Sequence, residues 1–192
     1  MNVQFQNVQS EKIKSAFIEV LERYESLKDY KIILRQQQVK SATMMAQPIF
    51  NFTSFFGGVK SYKVKLGIYV RDSDTLKVDQ MSKNVLIGWF AHELGHIVDY
   101  APYSNWRMIQ YGFKYLTSEK FMRDVEYTAD LIAIEHGFTT EIIAAKRYIM
   151  ENDLMEQKYK DKISKYYMSI EDVIMCAEDK AVAKPKPELS TN

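Results

Sequence analysis

His92 and His96 stand four residues apart, with Glu93 directly after the first, in the run His92-Glu93-Leu94-Gly95-His96. On a helix that spacing puts two imidazoles on one face, one turn apart, where both can bind a single tetrahedral zinc ion. Glu93 projects about 100° round the helix from His92, so it can reach a water on that ion without being a ligand. Zinc lowers the pKa of such a water to about 7. A neighbouring carboxylate can then take the proton, direct the hydroxide to a carbonyl and pass the proton to a leaving amine. The expected chemistry is metal-assisted hydrolysis of a peptide bond in a peptide or protein substrate, with Glu93 as general base.

A catalytic zinc takes three protein ligands and leaves a fourth position for water. The third ligand is expected in Glu126-Tyr127-Thr128-Ala129-Asp130. Glu126 and Asp130 share a helix face, and Ala129 and Ala133 beside them leave room for close packing on the first helix. Glu126 would complete a His, His, Glu set around one Zn2+ ion. Asp130 would accept a hydrogen bond from the free ring nitrogen of a ligand histidine and fix its tautomer. The bland alternative is a solvated acidic edge, with Arg123 paired to Glu126 at i,i+3. His136 is a rival third ligand. It lies about 15 Å past Glu126 along the same helix, so the two cannot share an ion, and a histidine in a last helical turn is favoured by the dipole in any case. Asp99 lies on the histidine face and reads as a supporting residue or a helix-end hydrogen bonder. A metzincin-type third histidine is excluded, since Pro102 holds that position and Asp99 holds that of the accompanying glycine. An electrophile for the oxyanion is also needed, and Tyr127, Tyr103 and Arg123 are the nearest candidates in sequence.

The two motifs in this order, followed by Leu131-Ile132-Ala133-Ile134 and Gly137, resemble the gluzincin metallopeptidases, especially the HtpX-like and minigluzincin groups. The resemblance covers about residues 82–150. It implies a zincin fold, with a mixed sheet whose edge strand lies above the active-site helix and binds extended peptide. It also implies His92, His96 and Glu126 as ligands, Glu93 as base and Asp130 behind them. A similar pairing of motifs occurs in the ImmA/IrrE-like regulatory metallopeptidases, so a regulatory metalloprotein or a metal-binding module without turnover is the alternative function.

The elements that must hold these residues follow from periodicity and caps. Ser10 is an expected N-cap for a helix from Glu11 to about Leu27. Tyr30 to Gln36 and Tyr62 to Val70 read as strands, and Thr75 to Val78 as a further short one. The strand at Lys63 to Val70 is the expected edge that pairs with substrate. From Ser82 a helix runs to about Tyr100. Its stripe of Leu86, Ile87, Phe90, Leu94, Ile97 and Val98 lies opposite the histidines and faces the core. Gly88 and Gly95 in that helix point to close approach of backbone or substrate. Further helices are expected from Thr117 or Ser118 to His136, stopped by Gly137, from Thr139 or Thr140 to Glu151, and from Ser169, where Asp172 gives capping-box spacing. Met45 to Gly58 reads as a core loop or strand, or as a lid hinged at Gly57-Gly58. Sheet first and helices after gives an α+β class, in a single domain over residues 1–182 with its active-site core at about 60–150. The Pro- and Lys-rich stretch 183–192 is expected to be a disordered tail.

Composition excludes several other classes. Hydrophobic residues make up 46% of the 192, enough for a real core. Lys plus Arg number 26 against 25 Asp plus Glu, a net charge of +1 that gives no case for nucleic acid or an anionic membrane. Cys176 is alone, which suits a reducing compartment. The N-terminus lacks the pattern of a signal peptide, and the apolar run Val85 to Ala91 is too short to span a bilayer. A cytoplasmic protein is expected.

Overall fold

The computed structural model describes residues 2–39, 42–50, 61–71 and 73–183, with residues 181–183 described by backbone alone. The architecture is α+β. A four-stranded mixed sheet has the order β1-β2-β4-β3, formed by β1 (Asn2–Gln6), β2 (Lys31–Gln36), β3 (Met44–Pro48) and β4 (Ser61–Leu66). β1, β2 and β4 run parallel, and β3 is antiparallel to β4. Between β1 and β2 the chain crosses over through α1 (Glu11–Arg23), capped by Ser10, whose hydroxyl accepts from the Ile13 amide. The first strand therefore precedes a helix, and sheet and helices are not segregated along the chain.

β4 shows why one face of the sheet is covered. Tyr62, Val64 and Leu66 are buried while Ser61, Lys63 and Lys65 between them are half-buried, the period-2 alternation of a sheet with one open face. The covered face meets α1 and α2 (Lys83–Tyr100) through Phe17, Phe90, Leu86 and Leu94. Ser82 caps α2, as its spacing predicts; of the expected apolar stripe all but the half-buried Val98 are buried, and Val85, Trp89 and Ala91 outside the stripe are buried as well, because α4 and α5 cover that side of the helix.

The expected edge strand is corrected here. The strand over Lys63 to Val70 ends at Leu66 and lies inside the sheet, between β2 and β3; the edges are β1 and β3, and β3 is the one packed beside α2. Alternation reports which face a side chain takes, whereas edge position depends on non-local pairing. Gly67 breaks the strand: its amide donates to Thr43, and a Cβ there would lie 2.5 Å from the Tyr69 carbonyl oxygen. Thr75 to Val78 is likewise not a strand, only an isolated bridge between Tyr69 and Lys77 leading into a 3-10 turn.

After α2 come α3 (Asn105–Thr117), α4 (Glu119–Glu135), α5 (Thr139–Glu151), α6 (Gln157–Tyr166) and α7 (Ile170–Ala183). Ser118 caps α4, and Gly137 stops it at φ +83, a left-handed conformation that favours glycine. Ser169 and Asp172 form the expected reciprocal cap, each side chain accepting from the other's amide at 3.0 Å. α3 and α6 carry no sequence expectation. The Gly57-Gly58 hinge and the tail after Ala183 lie outside the described residues. No helix among the described residues is long and apolar enough to cross a membrane.

Candidate metal centre

Two helices meet at glycine to make the site. A Cβ on Gly95 would lie 2.6 Å from the Ala129 carbonyl oxygen of α4, and one on Gly88 would lie 2.1 Å from that of Glu141 on α5. The glycines serve close helix packing. At this separation His92 and His96 face Glu126 and Asp130 across the α2–α4 seam.

His92, His96 and Glu126 offer ligand atoms that all lie within 4.8 Å of one another. Glu126 Oε2 is 3.0 Å from His92 Nε2 and 3.3 Å from His96 Nε2. Tetrahedral zinc with bonds of about 2.05 Å sets its ligands about 3.3 Å apart, so the three residues fit such an ion. The solvated-edge alternative for the acidic pair is overturned: Glu126 is 2% and Asp130 1% exposed. Arg123, its supposed partner, donates instead to the Lys165 carbonyl.

Asp130 Oδ1 sits 2.9 Å from His92 Nδ1, where it accepts a hydrogen bond from a proton on that nitrogen and leaves Nε2 to face the site. Its other oxygen accepts from Lys146 Nζ at 2.7 Å, and Lys146 is itself buried. Tyr115 of α3 donates to the outer oxygen of Glu126. Tyr167, just past α6, lies against the His92 ring with centroids 5.3 Å apart. Glu93 Oε2 accepts the Ala46 amide of β3 at 2.6 Å.

Charge within this cluster is strongly coupled. Burial favours neutral His92, but hydrogen bonds to Asp130 and Glu126 outweigh it and raise its pKa to about 10. Burial also opposes ionisation of Glu126, yet the imidazoles of His96 and His92 hold its carboxyl well below the usual range. Asp130 is likewise held low, with Lys146 and His92 overcoming burial. Glu93 moves the other way: burial lifts it above the ordinary value despite the two histidines. Two carboxylates, Glu126 and Asp130, are thus held anionic beside a third, Glu93, whose pKa is raised.

Several expected residues take other roles. His136 bonds the Ile132 carbonyl through Nδ1 at 2.7 Å and stacks on Tyr24, in the helix-end role expected for it. Asp99 accepts from the Tyr111 hydroxyl at 2.9 Å. Of the three oxyanion candidates, Tyr127 bonds Asp172 and Tyr103 bonds Asp99, while Arg123 serves α6 as described. The tyrosines that reach the cluster are Tyr115 and Tyr167. Neither these nor Lys146 and Ala46 stand out in sequence, since each comes from a separate element.

A cavity of about 100 Å³ opens beside the cluster, reaching His92, Glu93 and Asp130 and walled by α2, α5, α6 and the start of β3. No protein-family model, curated protein or solved structure matches the chain.

Proposed function

We propose that the protein is a zinc-dependent metallopeptidase with a zincin-like fold, hydrolysing peptide bonds in an aqueous, reducing compartment. The observation that carries this is the convergence of His92, His96 and Glu126 on one point with Glu93 beside them. A site that only bound metal would have no use for a half-buried carboxylate of raised pKa at that position. A zinc ion held by the three ligands would supply Lewis acidity and lower the pKa of a water to about 7.

The chain's own residues do the rest. Glu93 receives the proton and later returns it to the leaving amine; its raised pKa brings it nearer the working pH, where a general base is most effective. Until a peptide docks, the Ala46 amide holds its carboxylate in place. Tyr167 stays a phenol, because burial and the nearby Glu126 and Glu93 carboxylates raise its pKa well above normal, and so it can donate to a carbonyl oxygen as charge develops.

Substrate would lie along β3. The Ala46 amide points away from β4, while Thr43 and Ile49 make hydrogen bonds to the β4 side at Gly67 and Ser61. In an antiparallel pair orientation alternates, so Met44 and Pro48 share the outward direction of Ala46. Proline there has no amide to leave unpaired, as suits an edge. The outward groups of Met44 and Ala46 can take an extended peptide as an added strand.

Glu93→Gln is the decisive variant. It should keep stoichiometric zinc by metal analysis and lose casein hydrolysis by about 10²–10⁴-fold. Undiminished cleavage by that variant would reject the mechanism.

A further inference from the structure

The open face of the sheet carries a charge pattern that the metal centre does not use. Tyr62, Val64 and Leu66 of β4 turn toward the helices, with Ile32 and Leu34 of β2 beside them in register. Alternation therefore puts Lys31 and Arg35 of β2, and Lys63 and Lys65 of β4, on the opposite face. Arg35 and Lys65 are register partners, so two like charges rise from backbones about 4.8 Å apart. Among the described residues, none of these four cations has an ion pair or a side-chain hydrogen bond. Ile33, the register partner of Lys63, is 9% exposed yet stands outside the core cluster, as lysine stems laid along the sheet would leave it. The chain has 25 Asp and Glu residues, and none lies in any of the four strands. A face kept polar for solubility alone mixes its signs, and like charges opposed across strands cost stability. The total charge of +1 hides a segregated basic face.

We infer that this face binds nucleic acid through its phosphate backbone, without regard to base sequence. Lys31 to Arg35 spans about 13 Å along β2, and all four cations lie within that length on two adjacent strands. A duplex offers one fixed charge per about 1.7 Å of axis; an extended acidic peptide offers at most one per about 3.3 Å and turns every second one away. The nucleic acid is the better match in charge density. Gln4 and Gln6 of β1 and Gln47 of β3 share the face, and amides join Arg and Lys among the donors that phosphates accept from. No strand residue on this face is aromatic, since Phe5 turns inward against Phe17, so bases have no platform to stack on and the backbone alone is read. The large apolar side chains here are Met45 and the buried Ile33, which give a membrane little to insert. The face is turned away from α2, so the inference stands apart from the peptidase reading.

Anisotropy titrations of the full-length protein against short fluorescein-labelled DNA, duplex and single-stranded and each in two unrelated sequences, test this. Affinity should be the same for both sequences and should fall about 10²-fold between about 50 and 200 mM salt, as four phosphate contacts require. Lys63→Gln combined with Lys65→Gln should reduce the slope of log affinity against log salt by about 2, and Arg35→Gln on the neighbouring strand by about 1. Both variants relieve the repulsion between Arg35 and Lys65 and should melt no lower than the parent, so that lost binding is not lost folding. Lys158→Gln, at an exposed lysine on α6, should leave the slope unchanged. Glu93→Gln should bind as the parent does, whatever becomes of its hydrolysis. No binding at the lower salt, a slope unaltered in both basic-face variants, or tighter binding to polyglutamate or to phosphatidylserine vesicles overturns the assignment.

Discussion

His92 faces opposite demands from its two nitrogens: Nε2 must be free for a metal, and Nδ1 must keep its proton. Asp130 meets the second demand, and Lys146 keeps Asp130 anionic in a buried site. Lys146→Met should therefore lower zinc affinity by about 10–100-fold in a chelator competition. It should also cost roughly 3 kcal/mol of stability, since a buried carboxylate loses its counter-charge. Unchanged zinc affinity would show that Asp130 holds the ring without help. Tyr167→Phe should lower kcat about 10²-fold with KM little altered and zinc content intact, which separates a role in the transition state from one in substrate or metal binding. The five residues of the two motifs were legible because each set lies on one helix at a spacing the helix turns into proximity. Lys146, Tyr115 and Tyr167 were not, because they reach the site only through tertiary packing and tyrosine is as common in cores as in sites. Ala46 contributes a backbone amide, for which no side chain gives a signal.

The elements are held in register by small residues at the seams. Gly95→Ala places a methyl group against the backbone of α4, which cannot yield as a flexible side chain would. A loss of about 1–3 kcal/mol in urea unfolding is expected, with weaker zinc binding as α2 shifts from α4. Gly112 on α3 is the control: nothing lies within 4 Å of its Cβ position, so Gly112→Ala should stabilise by about 0.5–1 kcal/mol. The helices α1, α2, α4 and α7 could be read from their capping serines, with inward apolar stripes on α1 and α2; α5 lies where it is expected, although neither Thr139 nor Thr140 caps it. α3 could not, since Trp106, Ile109, Phe113 and Leu116 on it are exposed and the pattern is turned outward. α6 (QKYKDKISKY) is too polar to show a stripe, and β1 is too short to announce itself. β3 lay within the aromatic segment left between core strand and lid, and no local feature distinguishes the strand that ends a sheet from one inside it.

Across the whole molecule the cluster links folding to pH. His92 has a folded pKa of about 10, above its unfolded value near 6.5. Its charged form thus stabilises the metal-free fold fully below pH 6.5, and that contribution is lost as pH rises toward 10. Glu126 and Asp130, with depressed values, contribute above pH ~4 and lose their contribution as acid protonates them. The melting temperature of protein stripped by chelator should therefore decline between pH 6.5 and 10. With zinc the decline should vanish over that window, because the ion replaces the proton between the ligands. Parallel thermal scans with and without zinc check this; identical alkaline slopes would mean that His92 is neutral in the metal-free protein.

The Ala46 amide joins Glu93 to β3, an edge strand of the sheet. A chain docking there as a new strand competes with Glu93 for one N–H. On the peptidase reading, recognition and activation would then be a single event: a guest long enough to add a rung to the ladder would untie the carboxylate, whereas a small amide that never touches the strand would meet a base still tethered.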